Sequence, residues 1–560
     1  MTPAHTLFGP SSRKRNQRPG VVLFSVLVVT AILILVSYQF FNVMQAEFAA
    51  TIASNKVLQS RHLAESGLNY VSFVLAHPET AGLSADGTSP IVFSPLVYDN
   101  PELFHQRPVT GPDGNPRGYF SVVSVRDTAD PLAQSDGFRF GVEDESGKIN
   151  LTTLVLTDRD NRAKNILSRL PGMNEDSADA LLKWIKPSDG SDSLNYTAMG
   201  YAPKNGPFES LEELLLVRTI TPRMLLGNDR NRNGRLEPDE DDSGGVLDPG
   251  LARYVTLYSR ELNLDSTGQP RLYINDSTDL QALQGKLAAI LSPEVVDFIM
   301  WYRIIGPPSG SQGGSSGGGG LARIIQQPKS LPEGVTIVEG KLVIDYAKVK
   351  PARDGTLTSM FSLIDAEILV SQPQSGRGGG GGGRGGGGGG GGQQQQTVRF
   401  RSPLRKDDKG TLRTLLPVLL DKLTISQEQE LPARVNLNTA PPDVIKAFPN
   451  ITDADLEKIM TYRASAETDP SLAPVYTTLA WLVTEADMDV ANVRDYEQYF
   501  TAQSQVFRFQ AVGYYEVNGP ATRIEAVVDT NGGRPRLLYW RDISNLGRGF
   551  QFSQYQPTLP

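Results

Sequence analysis

The hydrophobic pattern at the amino-terminal end of the chain predicts one long helix. Residues 21–46 form an uncharged apolar run of about 26 residues, which would be roughly 39 Å long as a helix and could cross a hydrocarbon core of about 30 Å. Residues 59–75 carry apolar positions at helical spacing, which predicts an amphipathic continuation of the same helix. The run is preceded by a basic cluster of Arg13, Lys14, Arg15 and Arg18. Because positive flanks stay cytoplasmic, the rest of the chain is expected to face outward.

Strand-like alternation occurs at the two ends of the chain that follows this helix. It covers residues 119–125, 138–142, 506–515, 521–528 and 536–541, with turns at 518–520 and 529–533. The last three segments predict an antiparallel meander. We therefore predict an α+β protein in which both ends of the chain build one antiparallel sheet, packed on the amino-terminal helix. A large, mostly helical insertion lies between them.

Two related segments predict helical hairpins within the insertion. Residues 144–153 precede the first hairpin, at 166–185, which is centred on Leu170-Pro171-Gly172-Met173. Residues 433–440 precede the second, at 443–462, which is centred on Phe448-Pro449-Asn450-Ile451. Asn438 and Thr439 are predicted helix caps ahead of Pro441, a favoured first-turn residue.

Composition narrows the chemistry that the chain could perform. The 560 residues carry a net charge of −8. The chain has no cysteine, which excludes disulfides and thiol chemistry. The four histidines are scattered through the first fifth of the chain, at His5, His62, His77 and His105. A zinc or histidine-base site is therefore not expected, and the chain shows no nucleophile elbow, phosphate loop or dinucleotide fingerprint. We expect a protein that is not an enzyme.

Two low-complexity tracts interrupt the outer part of the chain, at residues 309–320 and 375–396. Neither can bury enough apolar surface to offset its chain entropy. The second tract is almost pure glycine and, as a coil, would span on the order of 26 Å. It is either a tether or an insertion tolerated in a loop, and the loop insertion is favoured.

One acidic segment has the spacing of a calcium loop. Residues 229–240 place oxygen-bearing side chains at loop positions 1, 3, 5, 9 and 12, with Gly234 at position 6; these candidate ligands are Asp229, Asn231, Asn233, Glu237 and Glu240. Calcium takes six to eight hard oxygens, and this is the ligand order of an EF-hand. Arg235, at position 7, would contribute its backbone carbonyl. A solvated acidic loop is the alternative. Because Pro238 and a Ser-Gly-Gly stretch follow, no exiting helix is expected, so affinity should be weak, on the order of 10⁻⁴–10⁻³ M.

The amino-terminal region resembles the minor pseudopilin K family of type II secretion systems. Residues 64–69 read AESGLN, close to the AEAGLN segment of that family, and residues 207–214 also resemble its pattern. Gly20 and Val21 stand between the basic leader and the apolar run, which is similar to a prepilin signal that a membrane peptidase cuts after glycine. A secretory signal peptide, which would have a shorter apolar core, and a plain single-pass anchor are the alternatives. At the fifth mature position, Ser25 replaces the glutamate of other pilins.

The resemblance implies a pilin-like fold and a role in assembly rather than catalysis. The chain would lie in the inner membrane as a single-pass protein with a cytoplasmic amino terminus and a periplasmic carboxy-terminal part, and would assist protein export from the tip of a pseudopilus. Its partners would be the prepilin peptidase, other minor pseudopilins, inner-membrane secretion components and the membrane, with no nucleic acid. The expected divisions are a leader at 1–20, the helix at 21–78, core strands at 79–145, the insertion at 146–265 and 266–374, a Gly/Gln-rich disordered linker at 375–396, the second hairpin region at 397–502 and closing strands at 503–560.

A membrane-anchored DNA receptor is the rival hypothesis, since helix–hairpin–helix units often bind DNA backbones. The second loop glycine of such units is Asn174 in the first hairpin, and Asn450 stands at the position of the first glycine in the second hairpin. Residues 174–176 and 453–455 are acidic where phosphate would approach. These features favour hairpins that serve as packing scaffolds.

Overall fold

The computed structural model describes residues 19–550 except for 88, 90, 127–136, 159–160, 187–195, 198, 242–243, 309–326, 373–395 and 516–518. The basic leader cluster, the tract at 309–320 and nearly all of the tract at 375–396 lie outside these residues. The described part of the chain is a mixed helix and sheet protein with a long apolar amino-terminal helix and an antiparallel sheet.

The α-helices among the described residues are α1 (Pro19–Ala76), α2 (Pro101–Phe104), α3 (Leu151–Leu156), α4 (Arg162–Leu167), α5 (Glu175–Ile185), α6 (Pro222–Leu226), α7 (Leu280–Ala288), α8 (Pro293–Ile305), α9 (Lys409–Lys422), α10 (Pro442–Ala447), α11 (Asp453–Thr468), α12 (Trp481–Thr484) and α13 (Val490–Tyr496). Short 3₁₀ segments are Pro95–Val97, Glu145–Gly147, Leu211–Leu216, Leu251–Arg253, Arg353–Gly355, Met360–Leu363, Pro470–Thr477 and Ser544–Leu546.

The strands are β1 (Arg107–Thr110), β2 (Pro116–Val125), β3 (Phe138–Arg139), β4 (Glu143–Asp144), β5 (Ile149–Asn150), β6 (Val255–Thr256), β7 (Glu261–Leu262), β8 (Leu272–Tyr273), β9 (Lys329–Ser330), β10 (Val335–Val338), β11 (Lys341–Ile344), β12 (Glu367–Gln372), β13 (Gln396–Arg401), β14 (Leu423–Thr424), β15 (Glu430–Leu431), β16 (Val435–Asn436), β17 (Phe500–Thr501), β18 (Val506–Tyr514), β19 (Ala521–Asp529) and β20 (Arg536–Asp542).

Helix α1 confirms the predicted continuity of the apolar run and its amphipathic extension. Its 58 residues are unbroken, and among the described residues it is the one helix long and apolar enough to span a membrane. The side chains of residues 21–55 are all exposed. Burial begins at Ser60 and continues through Leu63, Ala64 and Gly67 at helical spacing. The helix therefore has an exposed amino-terminal part, residues 21–55, which we call the bare half, and a following part that packs against the sheet.

Both ends of the chain form one antiparallel sheet, as the alternation predicts. Its order is β1-β2-β18-β19-β20, with β3 paired to β2 and β4 to β18. The long pairing of β18 with β19 runs from Val506 opposite Asp529 to Tyr514 opposite Ala521. Strand β18 also pairs with β2, so the carboxy-terminal strands close directly onto the amino-terminal ones.

The two faces of this sheet contact different parts of the molecule. Toward α1, the hydroxyls of Ser60 and Thr522 lie 2.8 Å apart, and Gly67 packs beside Phe120. On the other face, Arg523 and its neighbours on alternate positions contact the insertion. A sheet packed on both faces is expected to bury its alternating polar residues, and Arg523 is fully buried.

The insertion, residues 145–505, is less helical than expected. It contains the helices from α3 to α13 but also the short strands from β5 to β17, arranged in small sheets around their own hydrophobic core. The predicted caps of its second hairpin are wrong. Helix α10 begins at Pro442 with Pro441 before it. The Asn438 side-chain amide instead donates to the carbonyls of Tyr476 (2.8 Å) and Ala502 (3.1 Å). It therefore ties the turn to the segments that follow.

The glycine tract joins two strands that pair with each other. In the β12–β13 hairpin, Gln372 lies opposite Gln396 in register. The tract at 373–395, which lies outside the described residues, thus connects two paired strands. Of the expected linker at 375–396, only Gln396 is described, and it belongs to β13.

A buried ionic cluster, the junction cluster of Glu145, Lys148 and Arg508, joins the insertion to the sheet. The Glu145 carboxylate is fully buried and lies 3.0 Å from the Lys148 ammonium and 2.5 Å from the Arg508 guanidinium on β18. Burial alone would raise the pKa of Glu145, but Arg508 and Lys148 together hold it well below its usual range. The carboxylate therefore stays charged inside the molecule.

The neighbouring Asp144 links the two repeated segments that precede the hairpins. Its carboxylate accepts hydrogen bonds from the Asn436 amide (2.8 Å), the Thr439 hydroxyl (2.5 Å) and the Ser504 hydroxyl. Burial raises the pKa of Asp144, and these three donors counter that rise. The two echoing segments are thus in direct contact.

Close packing of α1 on the sheet predicts a specific sensitivity at Gly513 on β18. A Cβ atom there would lie 2.2 Å from the Ser60 carbonyl oxygen and 2.3 Å from the Ala64 amide nitrogen, both backbone atoms. Gly513→Ala should lower the free energy of unfolding by about 1–3 kcal/mol, because helix and strand must separate. The measurement is the thermal unfolding midpoint of the full chain in detergent.

Gly285→Ala is the matched control. Gly285 lies exposed in α7, with nothing near the position of an added Cβ. Alanine is the better helix former by about 1 kcal/mol, so this variant should be as stable as the parent or slightly more stable. Equal midpoints for Gly513→Ala and the parent would contradict the close approach.

Candidate functional site

The acidic loop, residues 229–240, begins just after α6 and is closed at its base. Thr221 caps α6 by accepting from the Met224 amide, and the helix ends at Gly227, where a Cβ would lie 1.8 Å from the Asp248 carbonyl oxygen. Asn228 and Asp248 exchange backbone and side-chain hydrogen bonds of 2.8–2.9 Å. The segment therefore folds back on itself as a closed loop.

All six predicted ligand residues take part in hydrogen bonds inside this loop, since the Arg235 backbone amide also donates to the Asn233 side-chain oxygen at 2.8 Å. The Glu237 carboxylate accepts from the side-chain amides of Asn231 and Asn233, both at 3.0 Å. The Asp229 carboxylate accepts from the backbone amides of Asn233 (3.0 Å) and Gly234 (2.8 Å). The loop thus brings two carboxylates and two side-chain amides together along a short stretch of chain.

Glu240, the last residue of the loop, closes it from the far end. Its side chain is 2% exposed, and its carboxylate accepts from the backbone amides of Arg230 (2.8 Å) and Asn231 (3.1 Å). Burial raises the pKa of Asp229, and the charge of Glu240 raises it further. Negative charge is therefore crowded in a partly desolvated place, which a cation would relieve.

Gly234 and Arg235 occupy the positions that the calcium pattern requires. Gly234 has φ of +76°, and a Cβ there would lie 2.0 Å from the Gly137 carbonyl oxygen. The Arg235 guanidinium lies 5.9 Å from the Phe138 ring centroid, outside the loop. The described residues 241 and 244–250 form no helix, so the expected lack of an exiting helix is confirmed for them.

The donor set fits a calcium ion in chemistry, and one atom supports an ion directly. The Asn231 side-chain oxygen is buried and has no hydrogen-bond partner among the described residues. Against this, the described part of the chain holds no group of three or more His, Cys, Asp or Glu side chains arranged to hold a metal. Backbone amides engage the carboxylates of Asp229 and Glu240. Ion binding would require these carboxylates to reorient.

The loop is fixed to the sheet by Arg523 of β19. The guanidinium donates to the backbone carbonyls of Asn231 (2.9 Å) and Arg232 (3.2 Å) and to the Gln510 side chain (2.7 Å). Burial lowers the pKa of Arg523 to about 10, while Asp229 and Glu525 oppose that fall. Arg232 also pairs with Glu525 at 3.0 Å. The acidic loop is therefore held between the insertion and the sheet.

Sequence reasoning missed Arg523, Glu525 and Gln510 as supports of this loop. They alternate along β18 and β19 with apolar residues, a pattern typical of a strand with one solvated face. The only available signal was the alternation itself, which does not distinguish a face covered by water from a face covered by a polar loop.

The remaining predicted site residues, Gly20 and Val21, lie in the first turns of α1. They are far along the chain from the acidic loop, and the Val21 side chain is exposed. Their predicted role concerns processing and is independent of the loop.

The two helix pairs, α4–α5 and α10–α11, cap their second helices internally. The Asn174 side chain accepts from the Ser177 amide at the start of α5, and the Thr452 hydroxyl accepts from the Asp455 amide at the start of α11. Asp453 in the first turn of α11 pairs with Lys446. Carboxylates and caps therefore occupy the helix ends where a phosphate would bind, which weighs against the DNA hypothesis.

No protein-family model matches the chain, and no curated protein matches it either.

The acidic loop predicts calcium-dependent stability. At tenfold excess over Kd, one bound ion should stabilise the folded chain by about 1.4 kcal/mol. Asp229→Ala combined with Glu240→Ala should abolish the calcium-induced rise in melting temperature, because it removes the first and last ligands. Calcium titration calorimetry on the same variant gives a readout that does not depend on unfolding.

The matched control is Asp239→Ala combined with Asp241→Ala. Both side chains are exposed in the same stretch and neither is a predicted ligand. This variant loses the same number of negative charges as the Asp229 and Glu240 variant and should keep the full calcium-induced rise in melting temperature. If the Asp229 and Glu240 variant kept it as well, the ion would bind elsewhere.

Proposed function

We propose that the chain is a minor pseudopilin of the K family, positioned at the tip of a type II secretion pseudopilus. In this role it would lie in the inner membrane through α1, expose its remaining domains to the periplasm and assist export by assembly. The observation that carries the proposal is the plan of the molecule: one continuous helix, bare along residues 21–55 and packed beyond them on a sheet that both ends of the chain build. A pilin-like subunit needs this combination to pack laterally by its helix while it presents a folded head.

Ser25 supports a terminal position in a fibre. Its hydroxyl donates to the Val21 carbonyl at 2.8 Å, within its own helix. The hydroxyl is therefore satisfied without a partner from a neighbouring helix. A glutamate in the bilayer would instead cost about 2.5–3.5 kcal/mol unless it were paired. A subunit without that carboxylate gains less by joining beneath another.

The insertion supports the same position through its size and attachment. It connects β4 to β18, two adjacent strands of the sheet, and the junction cluster and the acidic loop attach it to the sheet by buried polar contacts. A rigidly attached domain of this size would obstruct a further subunit above it. Calcium, bound by the acidic loop, would supply positive charge where carboxylates are crowded and so strengthen this attachment.

Processing tests the membership of the family. We expect a mature protein that begins at Val21, after cleavage behind Gly20. Gly20→Leu should leave an uncut precursor, because prepilin cleavage requires glycine at that position in the family. The measurement is intact mass of the chain purified from membranes, with Gly9→Leu, a change elsewhere in the leader, as the control that should still be cut. Mature protein that retains residues 1–20, or that starts beyond residue 46, would refute the pseudopilin assignment.

Crosslinking tests the tip position separately. A photoactivatable residue in place of Phe48, which is 69% exposed on the bare half of α1, should give adducts with sibling pseudopilins on one side of the chain. The same substitution at Leu156, exposed on the insertion, is the control and should give no shaft contacts if the insertion faces away from the fibre. Adducts between copies of this chain, at the abundance of the major subunit, would place it along the shaft.

A further inference from the structure

A cavity of about 530 Å³ lies between the sheet and the second helix pair. One side is formed by residues 91–99 and strands β3 and β4, and the other by residues 436–442, α11 and residues 473–477. Its volume is within the range of about 300–1,000 Å³ that is typical of small-molecule sites. No residue of the acidic loop lines it, so it is a separate feature.

Much of the cavity wall is apolar. Phe93 is fixed by edge-on packing against Phe507, with ring centroids 4.8 Å apart. Met460 and Tyr476 line the opposite side. The Tyr476 hydroxyl donates to the Tyr462 carbonyl at 2.7 Å, so this residue offers the cavity chiefly its ring. Such walls suit a hydrocarbon or aromatic body.

The polar part of the wall is cationic. It carries three carboxylates, Asp99, Glu143 and Asp144, and five cationic side chains, Arg126, Arg139, Lys148, Arg253 and Arg463. The cavity therefore has a surplus of positive charge, although the chain as a whole is acidic.

The three carboxylates are already engaged by other groups. Asp99 pairs with Arg126 at 2.7 Å and accepts from the Phe140 amide at 3.2 Å. Glu143 pairs with Lys148 at 3.0 Å. Asp144 accepts from the three side-chain donors described for the junction between the repeats.

Arg253 also pairs with Glu143, whereas Arg139 takes part in none of these ion pairs. Its Nε donates to the Ser124 hydroxyl at 3.2 Å, and its guanidinium lies 5.5 Å from the Tyr98 ring centroid. It has no salt bridge to a carboxylate among the residues that the structure describes. Burial lowers its pKa, and the like charges of Arg253 and Arg126 lower it further, with Glu143 and Asp99 in opposition. An anion beside it would be stabilised.

We infer that this cavity binds an apolar carboxylate, whose charged group pairs with Arg139 and whose body lies along Phe93, Met460 and Tyr476. A planar guanidinium matches a carboxylate in a two-pronged hydrogen bond. The apolar wall favours an organic acid over an inorganic anion. The same chemistry could come from a free small acid or from the carboxy terminus of a peptide.

The test uses the full chain in lipid nanodiscs and ¹⁹F NMR, with empty nanodiscs as the blank. The probe is 3-(4-fluorophenyl)propanoate, and its neutral amide is the paired control. The acid should bind about tenfold or more tightly than the amide, as expected when one hydrogen-bonding partner is charged. A hexapeptide ending in phenylalanine, with a free or amidated carboxy terminus, competes against the probe and shows whether a chain terminus is also accepted.

Three variants locate the binding. Arg139→Gln should weaken binding of the acid about tenfold and leave binding of the amide unchanged. Ala473→Leu, which adds bulk to a buried wall position, should weaken acid and amide alike. Arg117→Gln, an exposed change on β2 whose partner is Asp113, should alter neither.

If the peptide with a free carboxy terminus competes and the amidated peptide does not, the source of the carboxylate is a chain terminus. If the probe binds and neither peptide competes, the source is a free acid. Both outcomes support the site. Equal binding of acid and amide to the parent, undiminished acid binding by Arg139→Gln, or no probe binding to the parent would each overturn it. The acid–amide comparison needs no variant, so it decides the question even if Arg139→Gln fails to fold.

Discussion

The buried contact of Glu145 with Arg508 is the constraint on which the arrangement of this protein depends. One partner begins the insertion and the other lies in the central strand of the sheet, so their pairing determines where the insertion leaves the sheet. Taking two charges out of water is costly, and the removal of one partner from such a pair typically costs about 3–5 kcal/mol because the other is left buried alone. Lys148 and Thr256 complete the coordination of the carboxylate. The buried pair thus ties the start of the insertion to the central strand of the sheet.

The sheet transmits that orientation because each of its faces has a different partner. Small residues on one face let the backbone of α1 come close, and long polar residues on the other reach the acidic loop. Strand β18 carries both sets at alternating positions, with Gly513 and Ala511 toward the helix and Gln510 and Arg508 toward the insertion. A single strand therefore couples the long apolar helix to the insertion.

Much of this plan could be predicted from the sequence, and the exceptions have physical reasons. The long helix and the terminal strands follow from the local hydrophobic pattern, and the short turns between the last three strands predict their antiparallel pairing. The role of Asn438 could not be found this way: a polar residue before a proline is a good cap locally, but here its amide satisfies two distant carbonyls. Arg523 was equally hidden, because strand alternation reveals a polar face and not what covers it. The cavity around Arg139 depends on segments more than 300 residues apart, at Arg139 and Arg463, which no local pattern relates.

The paired ends of the glycine tract have a consequence for how this chain can change over evolutionary time. Since Gln372 and Gln396 remain opposite each other whatever lies between them, glycines can be gained or lost without a shift in strand register. The entropy of closing a loop grows only with the logarithm of its length, so a doubling costs about 0.6 kcal/mol. This hairpin would therefore absorb changes in the length of the tract at little thermodynamic cost. The tract is thus a place where the chain can vary in length while the flanking strands keep their pairing.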